Sequence, residues 1–186
     1  MESGEIMISR IAAQICFPAN FQLIAAMNPC PCGFLGSSRC RCTPDQINRY
    51  RSKISGPLLD RIDLQVQVTK IDNKQLLNKS EKPQGESDRD IQQRISDARE
   101  RQIERQGKIN SQLSSQELRT ICRLNTEQQA LMDSAINRFA LSTRGFYRVL
   151  RVARSIADLE NRHEVKTADY QEALSYRITS DTKETS

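Results

Sequence analysis

Four cysteines carry the clearest chemistry in this 186-residue chain. Cys30 and Cys32 form one Cys-x-Cys pair, Cys40 and Cys42 form a second, and seven residues separate the two. Four thiolates within thirteen residues could surround one tetrahedral zinc ion. The commoner zinc spacing is Cys-x2-Cys, and a single intervening residue forces a tighter chelate. The same four residues could equally stay reduced in a mobile loop. Gly33 and Gly36 give that loop the freedom to fold back. Arg39 and Arg41 interleave with the second pair, so the loop could also touch phosphate. Just ahead of it an apolar run, Leu23 to Met27, stops at Asn28 and Pro29. A run of this length fits a strand buried on both faces. In an open α/β sheet, ligands bind just past the end of such a strand, and Asn28 holds that place. His163 is the single histidine, set in a polar turn, and offers neither a dyad nor a metal cluster. Cys16 and Cys122 read as small buried hydrophobes.

The elements that position these residues can be read in order. Ile6, Ile8, Ile11, Ala13, Ile15 and Phe17 alternate, which predicts a hairpin turning near residues 9–11, with Arg10 near its tip. Arg10 fits either a pore-facing hairpin or an ordinary solvated one. Thr43, Pro44 and Gln46 predict a helix start: a cap, a first-turn proline and a glutamine that reaches back. Ile47, Tyr50 and Ile54 form its inward stripe. Leu58, Leu59 and Ile62 anchor an apolar turn, leaving Arg61 on the opposite side, and Ile62, Leu64, Val66 and Val68 then alternate as a strand with one wet face. The polar stretch 72–86, with Pro83 and Gly85, reads as a linker.

A long polar helix follows from Ser87 to about Gly107. Asp90–Arg94, Asp97–Arg101 and Glu104–Lys108 stand at i,i+4, and Ile91, Ile95, Ala98 and Ile103 are left for packing. It reads as a solvated, ion-paired face or an intersubunit strut. Shorter helices start at Ser114, at Thr126 and at Thr167. Between the last two, Ser142-Thr143-Arg144 opens a helix whose Phe146, Val149, Leu150, Ala153, Ile156 and Ala157 share one side. Arg144, Arg148 and Arg151 line up on the other. A cation at a helix N-terminus opposes the local dipole, so Arg144 is mildly unfavourable for stability.

Composition limits the classes. Charged residues make up 27% and apolar ones 37%, and the net charge is +5. This permits nucleic-acid contact without demanding it. No apolar run approaches the roughly 20 residues of a membrane span. The acidic start is unlike a signal peptide, so six cysteines read as cytoplasmic thiols or metal ligands rather than disulfides.

Together, AAMNPCPCG, CRCTPDQINRY, SGPLLDRIDL and LSTRGFYRVLRVARSIADLE resemble the magnesium-chelatase-like branch of the AAA+ ATPases, and within it the ComM type. The resemblance runs to about Arg177. It implies an α/β fold: the C-terminal part of an AAA+ P-loop ATPase core over residues 1–71, the linker 72–86, an all-helical lid over 87–179, and a disordered tail 180–186. It implies that Asn28 is the first sensor, Arg61 the arginine finger and Arg144 the second sensor, the last also touching nucleotide. ATP and Mg2+ would serve the full-length protein. The partners implied are copies of itself in a hexameric ring and DNA, with helicase and branch-migration work during natural transformation, in the cytoplasm and without a membrane. None of the seven glycines builds a Gly-x-x-x-x-Gly-Lys phosphate loop, and no strand ends in an Asp-Glu pair, so the chain is expected to be inactive alone. Two alternatives stay open: the motor subunit of a metal chelatase, and a non-enzymatic, zinc-stabilised nucleic-acid-binding module.

Overall fold

The computed structural model describes residues 4–10, 13–68 and 85–177. Most of the linker 72–86 and the tail 180–186 lie outside the described residues. The chain divides into two units, Met1–Ile54 and Ser55–Ser186.

The first unit opens with the expected hairpin. Strand β1 (Glu5–Arg10) pairs antiparallel with β2 (Ala13–Pro18), from Glu5 opposite Pro18 to Arg10 opposite Ala13. The turn itself, residues 11 and 12, lies outside the described residues. Ile6 faces Phe17 and Ile8 faces Ile15, which puts one apolar row on one face; each of the four is about half exposed. The run Leu23 to Met27 differs from expectation. It forms no strand, and Ile24 is 84% exposed. A strand exists only through its ladder, and among the described residues this run has no ladder partner. Cys16 is exposed as well, against the expectation of burial. Helix α1 (Pro44–Arg51) follows the cysteine loop, and its start is as predicted: Thr43 and Gln46 close a capping box with Pro44 in the first turn. Ile47, Tyr50 and Ile54 are half-buried along its inner side. Among the described residues of this unit only Ala19 and Cys30 are buried.

The second unit is helical. It comprises α2 (Gly56–Leu59), α3 (Asp88–Gln106), a 3-10 turn at Asn110–Gln112, α4 (Ser115–Ile121), α5 (Thr126–Phe139), α6 (Thr143–Leu159) and α7 (Thr167–Ser175). Ser87 and Ser114 cap where the sequence placed them, whereas α5 is capped by Asn125 rather than Thr126. The core joins Leu113, Leu118, Cys122, Met132, Ala135, Val149, Leu150, Ala153, Tyr170, Ala173 and Leu174. Helix α6 is its centre, as its apolar stripe requires.

Two expectations about this unit change. Helix α3 does not bury its isoleucines: Ile91, Ile95 and Ile103 are exposed, and Ala98 and Gln102 are the buried pair. Its basic side chains reach across to other elements instead of pairing along the helix. Arg94 meets Glu86, and Arg101 donates to the Asn161 Oδ1 and Asp158 carbonyl, while Lys108, just past the helix, meets Glu117. Residues 62–68 form no strand, and Leu64, Val66 and Val68 are exposed rather than inward. Ile62 and Gln65 are the half-buried residues, and the Gln65 N–H donates to the Tyr176 carbonyl and its side chain to the Leu59 carbonyl. Alternation gives the two faces of a strand but not which face has a partner.

A polar cluster inside this unit escaped the sequence reading. Asp158 is fully buried and takes hydrogen bonds from Arg105 at 2.6 and 3.0 Å, from Arg154 at 2.9 Å and from Asn110 at 2.8 Å. Arg154, itself 1% exposed, also donates to the carbonyls of Arg162 and His163. Burial alone would raise the Asp158 carboxyl. The bonds from Arg105 and Asn110 and the charge of Arg154 outweigh it, and the net direction is down from 3.8. Nearby, Arg162 makes a two-pronged pair with buried Asp169 at 2.9 and 2.6 Å.

Candidate functional site

Each candidate side chain is placed by a different local device. Asn28 ends the exposed apolar run in the first unit. Beside it lies an open hollow of about 500 Å³ lined by Ala26, Met27, Asn28, Tyr50, Lys53 and Ile54. The backbone turns sharply after it. Gly33 has φ +78° and its N–H donates to the Cys30 carbonyl at 3.0 Å. A side chain at Gly33 would begin 3.7 Å from Asn28 Nδ2, so the glycine brings the loop directly against the Asn28 amide.

The cysteine loop is a succession of bonded turns. Ser37 N–H donates to the Phe34 carbonyl and Cys40 N–H to the Ser37 carbonyl, each at 3.0 Å, and the Ser37 hydroxyl donates to the Phe34 carbonyl at 2.9 Å. These turns return the chain so that all four sulfurs lie within 4.8 Å of one another. Three separations are 3.4 Å for Cys30–Cys32, 3.9 Å for Cys30–Cys40 and 3.7 Å for Cys32–Cys40. The N–H groups of Phe34 and Arg41 draw the Cys32 thiol down to about 6, while desolvation pushes Cys42 up to about 12. All four are free thiols, and their arrangement can take one tetrahedral metal ion.

Arg61 lies in the second unit, on the turn after α2. It is exposed, and its guanidinium donates to the Pro57 carbonyl at 2.9 Å. The turn is fastened only in part as expected. Leu59 and Ile62 are half-buried, but Leu58 is 42% exposed, and polar bonds add to the attachment. Asp60 accepts from the Ser142 hydroxyl at 2.6 Å and from Arg177 at 3.0 Å. Arg148 donates to the Arg61 carbonyl and, at 2.6 Å, to Asp63. So the acidic residues on either side of Arg61 each hold an arginine of the helical unit.

Arg144 is exposed in the first turn of α6, whose cap is Ser142. Asp60 lies at that same helix end, bonded to the cap hydroxyl, and places a negative charge where the dipole favours it. A side chain at Gly145 would begin 3.5 Å from Asp60 Oδ1, so Asp60 packs in van der Waals contact with this first turn. The predicted basic face of α6 therefore breaks up. Arg144 faces outward, but Arg148 is 4% exposed, and Arg151 is half-buried with bonds to the carbonyls of Asn110 and Leu113. The structure thus brings Arg61 and Arg144 onto one support, and Asn28 and the four cysteines onto another. Asp60, Asp63, Arg148 and Arg177 were missed as site residues. The signal available was two acids flanking the one arginine of an otherwise apolar turn.

Comparison with known proteins places this architecture. The profile described as magnesium chelatase, subunit ChlI, matches residues 1–76, and that of the ChlI C-terminal region matches residues 85–177. The chain belongs to the magnesium chelatase ChlI family. Among its relatives is the competence protein ComM of Haemophilus influenzae, 42% identical over 177 residues, which cover 95% of this chain and 34% of ComM. YifB of Escherichia coli K12, described as uncharacterized, is 43% identical over 177 residues, covering 95% of this chain and 35% of YifB. The uncharacterized Mb2921c of Mycobacterium bovis is 37% identical over 183 residues, covering 96% and 36%. The chain spans about a third of the length of the curated relatives it matches. Among the described residues, no helix is long and apolar enough to cross a membrane.

Proposed function

We propose that this chain is the C-terminal part of a ComM-like, ring-forming AAA+ ATPase of the cytoplasm that works on DNA as a branch-migration helicase. The observation that carries this reading is the fastening of the Asp60–Asp63 turn to the start of α6. Through Asp60–Ser142, Asp60–Arg177 and Arg148–Asp63, the exposed Arg61 and Arg144 share one rigid support. Two exposed arginines on one support suit the stabilisation of phosphate charge, for which a planar fork matches the oxygen geometry.

In this reading ATP, with its Mg2+, is bound by the remainder of the protein, and the nucleotide supplies the phosphoryl group that is transferred to water. The residues of this chain position and neutralise. Asn28, at the rim of its hollow, orients the attacking water. Arg61 reaches into the site of a neighbouring subunit and balances charge gathering on the γ-phosphate. Arg144 contacts the nucleotide from the helical unit, and because Arg148 and Asp63 tie that unit to the Arg61 turn, the two arginines move together. Such groups act by electrostatics and placement rather than by covalent chemistry.

The family profiles also favour a second reading, the motor subunit of a metal chelatase. ATP turnover by the longer protein separates the two. Stimulation by forked DNA supports the DNA motor. Turnover indifferent to DNA but raised by a porphyrin-metallating partner supports the chelatase and overturns the DNA role.

A further inference from the structure

We propose that Cys30, Cys32, Cys40 and Cys42 bind one zinc ion, and that this ion fixes Asn28 relative to helix α1. A tetrahedron with Zn–S bonds of about 2.3 Å has edges of about 3.8 Å. The separations among the Cys30, Cys32 and Cys40 sulfurs, 3.4, 3.7 and 3.9 Å, bracket that value, and the Cys42 sulfur lies within 4.8 Å of the other three. They are too long for disulfides, whose sulfurs stand at about 2.05 Å. A tetrahedral set of four thiolates selects zinc or iron among the common metals.

Among the described residues of Met1–Ile54 only Ala19 and Cys30 are buried, so within this chain the loop is held by its own bonded turns. The cysteines are unbridged, which leaves all four thiols available to a metal. Cys30 is 0% exposed and is the point on which the loop closes. Four thiolates on Zn2+ carry a net charge of −2, and Arg39 and Arg41 stand on either side of Cys40 to offset it.

The ion's place in the chain gives it a positioning role. Cys30 stands two residues after Asn28, and Gly33 is laid against the Asn28 amide. Cys42 directly precedes Thr43, the cap of α1, and Arg51 of that helix donates to the Pro29 carbonyl at 3.4 Å. One ion therefore joins the backbone that carries Asn28 to the helix whose Tyr50, with Lys53 and Ile54 just beyond it, completes the Asn28 hollow. The metal site stands on the thiols alone; only its consequence for ATP turnover rests on the reading of Asn28 above.

The test uses this chain, purified without chelator from zinc-supplied cells. Metal analysis should find about one zinc per chain. A thiol reagent should modify exposed Cys16 at once, leave buried Cys122, and reach the other four only after a strong chelator is added. The side-chain amide resonance of Asn28 should shift or broaden on chelation. The double variant Cys40→Ser/Cys42→Ser should lose the metal while the helical unit keeps its unfolding transition, which separates metal loss from general misfolding. The proposal is overturned by metal-free protein in which Cys16 and all four loop thiols react together. It is equally overturned by iron in place of zinc, or by zinc retained in the double variant. An Asn28 resonance unmoved by chelation refutes the positioning role alone.

Discussion

The buried carboxylate of Asp158 offers a demanding test of the helical unit. Asp158→Asn keeps the volume and removes only the charge. Arg154, 1% exposed, then stays buried without its counter-charge, while Arg105, 27% exposed, recovers part of its hydration. Removing one partner of a buried pair costs about 3–5 kcal/mol. Arg154 keeps its bonds to the carbonyls of Arg162 and His163, so the lower end, about 3 kcal/mol, applies. With a urea m-value of about 1.5 kcal/mol/M, the midpoint followed by helical circular dichroism should fall by about 2 M. The apolar pair Arg154→Met/Asp158→Leu should be less destabilised than the sum of its single changes, with a coupling of about 1–3 kcal/mol. It should not reach full stability, because two carbonyls lose their donor. A midpoint shift below about 0.5 M for Asp158→Asn with an unchanged m-value, or strict additivity in the cycle, would refute the argument.

Three further outcomes follow from the same geometry. Acid should unfold the helical unit in a defined window. The Glu117 carboxyl is held down to about 2, first by Lys108 and then by Ser114, and Asp158 is also shifted down from 3.8. Groups lowered on folding stabilise above their ordinary values and lose that contribution as pH falls through the folded value. Stability should therefore drop between pH 4.5 and about 2; a flat profile there would contradict the assigned bonds. Arg148→Met should release the Arg61 turn, so that amide hydrogen exchange at residues 60–66 rises by about tenfold or more while the core of α5 is unchanged; equal protection in both proteins would show that the turn is held some other way. This chain alone should show no ATP turnover above background, and hydrolysis abolished by Asn28→Ala would count against the placement of phosphate binding elsewhere.

Local signals in the sequence transferred well. Thr43, Pro44 and Gln46 form the predicted capping box because capping needs only neighbouring residues. The hairpin alternation is likewise present in the register of Ile6 with Phe17. Long-range partners were harder to read. Leu23 to Met27 and Leu64 to Val68 carry strand-like patterns, yet a pattern cannot supply the neighbouring strand, and the large apolar residues of both runs are exposed. Arg148, Arg154 and Asp158 were invisible for a different reason. Charged residues on α6 are ordinarily assigned to solvent, and their burial depends on acceptors from 63, 162 and 163 for the arginines and on donors from 105 and 110 for Asp158. Arg154 stands four residues after Leu150, about 40° around the helix, so it borders the apolar stripe. The four cysteines were legible as a set, but only the turns through Gly33 and Gly36 show them converging.

The most direct test of the central claim mixes two inactive forms of the longer protein, one Arg61→Ala and the other disabled in its phosphate loop. Alone, Arg61→Ala should lower turnover by ~10³-fold or more with ATP binding nearly unchanged. Arg61→Lys should not restore it, because an ammonium lacks the planar fork. Mixed rings should regain part of the activity, since some interfaces join an intact loop to an intact Arg61. Mixed rings that form but stay inactive, or an Arg61→Ala protein that turns over ATP normally, would contradict the account.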